Sequence, residues 1–281
     1  MKPRPATGRR VANGIVSVFA TLSAVLGMVI LAWIISVVVH RGLGAFNLAF
    51  FTQLPTPPGT GGGGLLNAIL GTLVMTLLAT LLAVPLGLMA GVYLAEFGQG
   101  SRLADNTRFS ANVLMGMPSI IIGVFAYALV VVPMGRFSGY SGIVALAIIM
   151  LPITARTAED MLRLVPNTLR EAALALGLPR WRITISIVFR AAKAGLITGI
   201  LLAVARVSGE TAPLLFTALN NPYMLTSLGQ PTPNLTVTIY NYAVSPYPDW
   251  QQKAWGASLL ITGGVLALTL LTRYTLRERK T

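Results

Sequence analysis

The chain has 281 residues, of which 54% are hydrophobic and 10% charged, far below the roughly 25% charge of soluble domains. That balance excludes an ordinary soluble domain and reads as a polytopic, all-α membrane protein. Cysteine is absent and His40 is the only histidine, which removes thiol nucleophiles, disulfides, Ser-His-Asp triads and nearly every His- or Cys-based metal site. No cofactor or metal is expected, and an intramembrane enzyme lacks the residues it would need.

Apolar runs suited to a hydrocarbon core about 30 Å thick predict six transmembrane helices, at residues 15–39, 65–95, 111–132, 142–155, 194–219 and 255–272, the fourth of them short. The first follows "MKPRPATGRR". It is longer than the 7–15-residue apolar region of a signal peptide and no A-x-A-like site follows, so it reads as a retained helix. Residues 40–64 contain "PTPPGTGGGG", a Pro/Gly density that means a loop with no core of its own and leaves helix one peripheral to the other five. Pro85 and Gly87 in the second run, and "GMPSIIIG" at 116–123 in the third, admit two readings. They are small residues at helix contacts or backbone breaks lining a path.

Residues 156–193 are charged and helical in pattern yet lie between two apolar runs. Asn167 or Thr168 after Pro166 is the expected N-cap, with Glu171 in the first turn. Leu169, Ala172, Ala173 and Leu176 fall on one face, and Gly177 with Pro179 ends the helix before a second one near Trp181. Such a unit is either a knob for another protein or an amphipathic segment on anionic lipid. The loop from Asn220 to Lys253 is polar and aromatic and fits an extracytoplasmic docking surface, a re-entrant lid or an aromatic belt.

The net charge of +13 invites a nucleic-acid reading, but its distribution argues otherwise. With the N-terminus inside, Lys2, Arg4, Arg9 and Arg10, then Arg102 and Arg108, then seven residues of the 156–193 loop, then Arg273, Arg277, Arg279 and Lys280 all face the cytoplasm. Only Arg41, Arg136 and Lys253 face out. The positive-inside rule therefore places both termini in the cytoplasm of a multi-pass protein in the cell (inner) membrane, and no nucleic acid is needed.

The exception is "ARVSGETAPLL" at 205–215, where Arg206 and Glu210 lie inside the fifth run. A charge at mid-membrane costs on the order of 2.5–3.5 kcal/mol, so both need compensation. At i and i+4 they can pair with each other as a structural ion pair, or their face lines a path. Arginine suits an oxyanion because its planar guanidinium offers parallel donors to two oxygens. In the second case Glu210 is its resting partner, and Ser208, Thr211 and the broken backbone around Gly209 and Pro213 add donors.

Two sets of residues carry a family resemblance. "EAALALG", followed nine residues later by Ile187, resembles the EAA loop of ABC importer permeases, with Phe189 and Arg190 where that loop usually has Leu-Pro. "PLGLMAGVYLAEF", "NVLMGMPSIIIGVFAY", "MLPITARTAEDMLRLVP" and "ARVSGETAPLLFTALN" are similar, over roughly residues 64–275, to phosphate importer permeases of the PstA type. The EAA loop marks only the superfamily; the G-E-T-A-P-L block points to phosphate. The resemblance implies a type I ABC importer permease fold, with residues 1–63 as tail, peripheral helix and outer loop, 64–275 as permease core and 276–281 as tail. It implies half of a translocation pathway for inorganic phosphate, completed by a sister permease (PstC type), an ATPase dimer (PstB type) and an extracytoplasmic phosphate-binding protein (PstS type). Glu171, Ala172, Ala173 and Gly177 would then meet the ATPase, with residues 166–182 as the lever. No lysine ends a G-x-x-x-x-G-K loop, so ATP hydrolysis is expected in a partner. The alternatives are an importer of another oxyanion (phosphonate, sulfate or molybdate) and a stand-alone secondary carrier.

Overall fold

The computed structural model describes residues 6–276. Lys2, Arg4, Arg277, Arg279 and Lys280, assigned above to the two tails, lie outside the described residues. Helices follow one another in the order α1 (Ala6–Leu43), α2 (Leu48–Thr52), α3 (Leu66–Val92), α4 (Arg102–Gly116), α5 (Ser119–Ala126), α6 (Val132–Met134), α7 (Gly139–Arg163), α8 (Asn167–Ala175), α9 (Arg180–Ile183), α10 (Phe189–Ser208), α11 (Ala212–Leu215), α12 (Leu235–Ala243) and α13 (Pro248–Leu276). Three single π-helical turns, at Tyr93–Phe97, Tyr127–Val131 and Thr184–Val188, extend α3, join α5 to α6 and join α9 to α10. No strand occurs among the described residues.

The centre of the bundle is α7, which opens on a capping box between Ser138 and Ser141 that satisfies two orphan N–H groups. Gly87 and Gly91 of α3 lie against Thr154 and Ala158 of α7, where a Cβ would come within 2.7 and 2.5 Å of those side chains. Gly195 and Gly199 of α10 lie as closely against Met161 and Thr157. Small residues one turn apart let the backbones approach, which is how helices associate where no hydrophobic driving force separates lipid from side chain. The small-residue reading of the second run therefore holds. Buried clusters succeed one another along the bundle: Phe50, Leu65, Leu235 and Ala257 at one end, Met75, Leu146, Met150 and Val207 in the middle, and Leu162, Ile183, Val188 and Leu196 at the other.

Among the described residues, five helices are long and apolar enough to cross a membrane: Val11–Leu43, Leu66–Phe97, Gly139–Arg163, Arg180–Ser208 and Pro248–Leu271. The third expected run differs. The chain breaks at Met117–Pro118 into α4 and the Ser119–Met134 segment, bent by 107°, because Pro118 cannot donate to a continuing helix. The fourth run is not short: α7 reaches Arg163, since Arg156, Glu159 and Arg163 neutralise one another inside the helix. The fifth begins at Arg180 and stops at Ser208, so the second helix expected near Trp181 is the first turn of a span. The connection between the two spans is therefore residues 164–179, shorter than the 156–193 that the charge pattern predicts. From Val11 onward helix α1 is exposed apart from its C-terminal end, where Gly42 meets Leu259 and Arg41 lies 5.2 Å from the Trp255 ring centroid. Within the polar loop, residues 232–238 are buried and α12 packs on Leu65 and Ala257.

Candidate translocation and coupling sites

The charged stretch of the fifth run sits on a broken helix. Helix α10 ends where Gly209 and Glu210 turn their N–H groups back to the Arg206 and Val207 carbonyls, at 3.3 and 3.1 Å. Pro213, lacking an N–H, starts the next turn rather than extending the last. Past α11 the backbone turns away at Leu219, whose φ of +57° is uncommon for a branched residue. The segment is fixed from two sides. Thr236 Oγ1 donates to the Glu210 carbonyl at 2.8 Å, Ser141 Oγ to the Thr217 carbonyl at 2.9 Å, and Asn234 Nδ2 to the Leu219 carbonyl at 3.0 Å. Gly123 of α5 lies against Pro213, where a Cβ would be 2.7 Å from its Cα.

Arg206 is exposed in the last turn of α10, where the helix dipole favours a cation. Among the described residues it forms no ion pair. The i, i+4 pair with Glu210 is therefore not formed, because the helix that would align the two ends between them. Glu210 and Thr211 are half-buried on the far side of the break. Ser208 Oγ donates to the Ala205 carbonyl at 2.9 Å, so its proton is engaged within its own helix. The four residues share one break, but only Arg206 presents an exposed charge.

The second candidate site is α8. Pro166 precedes it without a side-chain cap, Asn167 is its first residue and Glu171 lies beyond its first turn, so the expected Asn or Thr cap is not made. Its end is as expected. Gly177 has φ +78°, and the N–H groups of Gly177 and Leu178 bond the Leu174 and Ala173 carbonyls at 2.9 and 3.3 Å, a Schellman motif. The four-residue apolar face divides: Ala173 is buried against Leu162 and Ile183, whereas Leu169, Ala172 and Leu176 are exposed, Leu176 by 82%. Glu171 and Ala172 thus lie on the outer surface of the prong, with Ala173 turned inward.

Sequence reasoning missed two charge clusters beside α8. Glu159 is fully buried, accepting from Arg108 Nε at 2.7 Å and Arg156 Nη1 at 2.6 Å and pairing with Arg163 Nη2 at 2.8 Å. Glu96 receives Arg170 Nη2 at 2.6 Å and Nε at 3.2 Å. The i, i+3 and i, i+4 spacing of Arg156, Glu159 and Arg163 signalled part of the first cluster. Nothing local signals that Arg108 or Glu96 completes them across 51 and 74 residues. A polar cavity of about 650 Å³ lies between, lined by Glu96, Gln99, Arg163, Asn167, Glu171 and Arg180 among others.

This architecture is found in known transport proteins. Residues 83–277 match the family described as binding-protein-dependent transport system inner membrane component. The chain is 48% identical over 272 residues to the phosphate transport system permease protein PstA of Yersinia pestis, covering 97% of this chain and 92% of that protein. It is 46% identical to the protein of the same name from Haemophilus influenzae, over 97% and 96%. Among solved structures, the inward-facing MetNI methionine ABC transporter superposes with a TM-score of 0.63 at 21% identity, over 76% of this chain and 94% of that one. A bacterial ABC transporter involved in import of the acidic polysaccharide alginate superposes with 0.62 at 13%, over 97% and 100%. These likenesses establish the type I ABC importer permease fold, and the chain belongs to the PstA family of phosphate transport system permeases, within the binding-protein-dependent inner membrane components.

Proposed function

We propose that this chain forms one half of the translocation path of an ATP-driven phosphate importer, with the exposed, unpaired Arg206 at the α10 break as its anion contact. The observation that carries the reading is that guanidinium: a permanent charge in a span of a membrane permease that forms no ion pair among the described residues. It costs on the order of 2.5–3.5 kcal/mol at mid-membrane, a cost that a passing oxyanion offsets through bidentate hydrogen bonds. Glu210, beyond the break, keeps net attraction weak, so the ion leaves as readily as it arrives. Thr211 supplies a further donor; Ser208 does so only by releasing the Ala205 carbonyl.

The pathway is completed by a sister permease of the PstC type. A phosphate-binding protein of the PstS type docks on the outer end, around α12. A PstB-type ATPase dimer meets Glu171 and Ala172 on the cytoplasmic prong, with both termini on that same side, as the distribution of arginines supports. The relatives are phosphate permeases by name, which favours phosphate over other oxyanions and over a carrier working alone.

The test is uptake of labelled phosphate by the purified four-component complex in proteoliposomes. Arg206→Gln lowers uptake more than tenfold while the ATPase subunit still co-purifies, and phosphate but not sulfate stimulates ATP turnover of the unmodified complex. Normal uptake by Arg206→Gln removes Arg206 from the path. Absence of an ATPase from the purified complex removes the importer reading altogether.

A further inference from the structure

We infer that Arg170 and Glu96 form a latch that fixes the coupling helix α8 to the end of the second span, and that this latch, rather than apolar packing, makes α8 move with the membrane helices. The inference rests on the ATPase-coupling reading above.

Three observations carry it. First, α8 has little else to hold it: of its nine residues only Ala173 is buried, and a single methyl group buried in a groove does not fix the orientation of a helix. Second, the Arg170 guanidinium is fully engaged. Nε and Nη2 fork onto the Glu96 carboxylate, Nη2 also donates to the Leu162 carbonyl at 2.8 Å, and Nη1 donates to the Val165 carbonyl and, at 3.4 Å, to Asn167 Oδ1. Leu162 lies in the last turn of α7 and Val165 two residues past its end, where carbonyls have no i+4 helical donor. One side chain thus joins α8, the end of α7 and the end of α3. The pair is mostly removed from water, Arg170 being 18% and Glu96 11% exposed, so it is screened far less than a surface pair.

Third, the latch is placed where motion has room and a hinge. Glu96 lies within the π-turn Tyr93–Phe97, and a second π-turn, Thr184–Val188, follows α9 and touches α8. Such turns interrupt the regular i→i−4 ladder and recur at functional sites. The polar cavity of about 650 Å³ borders both, through Glu96 and Thr184. A push on α8 is therefore delivered through Arg170 to the ends of α3 and α7 together. Arg170 is a positioning residue; it touches no transported ion.

The experiment measures phosphate moved per ATP hydrolysed in the reconstituted complex, a ratio that a loss of folded protein leaves unchanged. Arg170→Gln and Glu96→Gln each lower the ratio at least fivefold while the ATPase still co-purifies in the same amount. The double variant falls no more than twofold below the worse single one, because both substitutions remove the same contact. Arg170→Lys recovers only part of the ratio, since an ammonium cannot fork onto a carboxylate and two carbonyls at once. Wild-type ratios in the single variants, or losses that multiply in the double variant, overturn the latch. If the Gln variants fail to assemble, Arg170→Lys decides: a wild-type ratio overturns the inference and a loss of more than twofold sustains it. A complex that transports phosphate with no ATPase attached refutes the coupling reading instead, and the two failures are distinguishable.

Discussion

Replacing Glu159 by Gln removes the one negative charge that three arginines share. The carboxylate is 0% exposed and its partners are 20% (Arg108), 26% (Arg156) and 48% (Arg163) exposed. Breaking a buried ion pair by deleting one partner costs about 3–5 kcal/mol when the remaining charge is left without compensation; here Asp105 still pairs with Arg108 at 2.8 Å and Asp160 lies 3.9 Å from Arg156. Arg163, half in solvent, contributes little to that sum, whereas Arg108 and Arg156 each lose a charge-assisted bond of about 1.5–3 kcal/mol. The two together give a cost of about 3 kcal/mol, at the low end of that range because all three arginines retain some access to water. The assay is thermal unfolding of the purified permease in detergent, followed by fluorescence-detected size exclusion. At about 2–4 °C per kcal/mol for a chain of 150–250 residues, the midpoint falls by roughly 6–12 °C. Adding Arg108→Gln in the Glu159→Gln background costs less than Arg108→Gln alone, since the bond to Glu159 is by then already lost and only the contacts with Asp105 and the Leu94 carbonyl remain to be removed. A Glu159→Gln midpoint within 1 °C of the unmodified protein refutes the argument, and so does additive behaviour of the pair.

Other outcomes follow from the same geometry. Gly91→Leu drives a side chain into Ala158, where even a Cβ lies 2.5 Å away; it costs upward of about 1–3 kcal/mol by overpacking and lowers the midpoint in the same melt. Gly263→Ala, with nothing within 4 Å, leaves the midpoint unchanged or raises it slightly. Gly177→Ala forces a Cβ into the left-handed region at a cost of about 1–2 kcal/mol without a clash. It loosens the Schellman end of α8, seen as faster amide exchange at Gly177 and Leu178 and lower phosphate uptake, and Gly177→Asn is milder because Asn tolerates that conformation.

Much of the architecture is legible without coordinates because it depends on local sums. Twenty apolar residues in a row cannot be stable in water as an isolated surface helix, so the spans declare themselves. A glycine followed by Leu178 and Pro179 stops α8 wherever it is placed, through backbone conformation alone. What the sequence by itself determined, then, is a helical membrane permease, the place of its break at Gly209–Pro213 and the presence of an unusual arginine beside it.

Tertiary structure decided the pairing of charges. Arg206 and Glu210 stand four residues apart and look like partners, yet the break between them withdraws the helix that would bring them together. Arg170 and Glu96 stand 74 residues apart and meet because α3 and α7 pack through glycines at 87 and 91. Ion pairs form by distance in space, and a chain pattern reports that distance only while one regular helix spans both residues. The buried role of Glu159, the extension of α7 to Arg163 and the latch on α8 all depend on which helix ends the packing brings to one place.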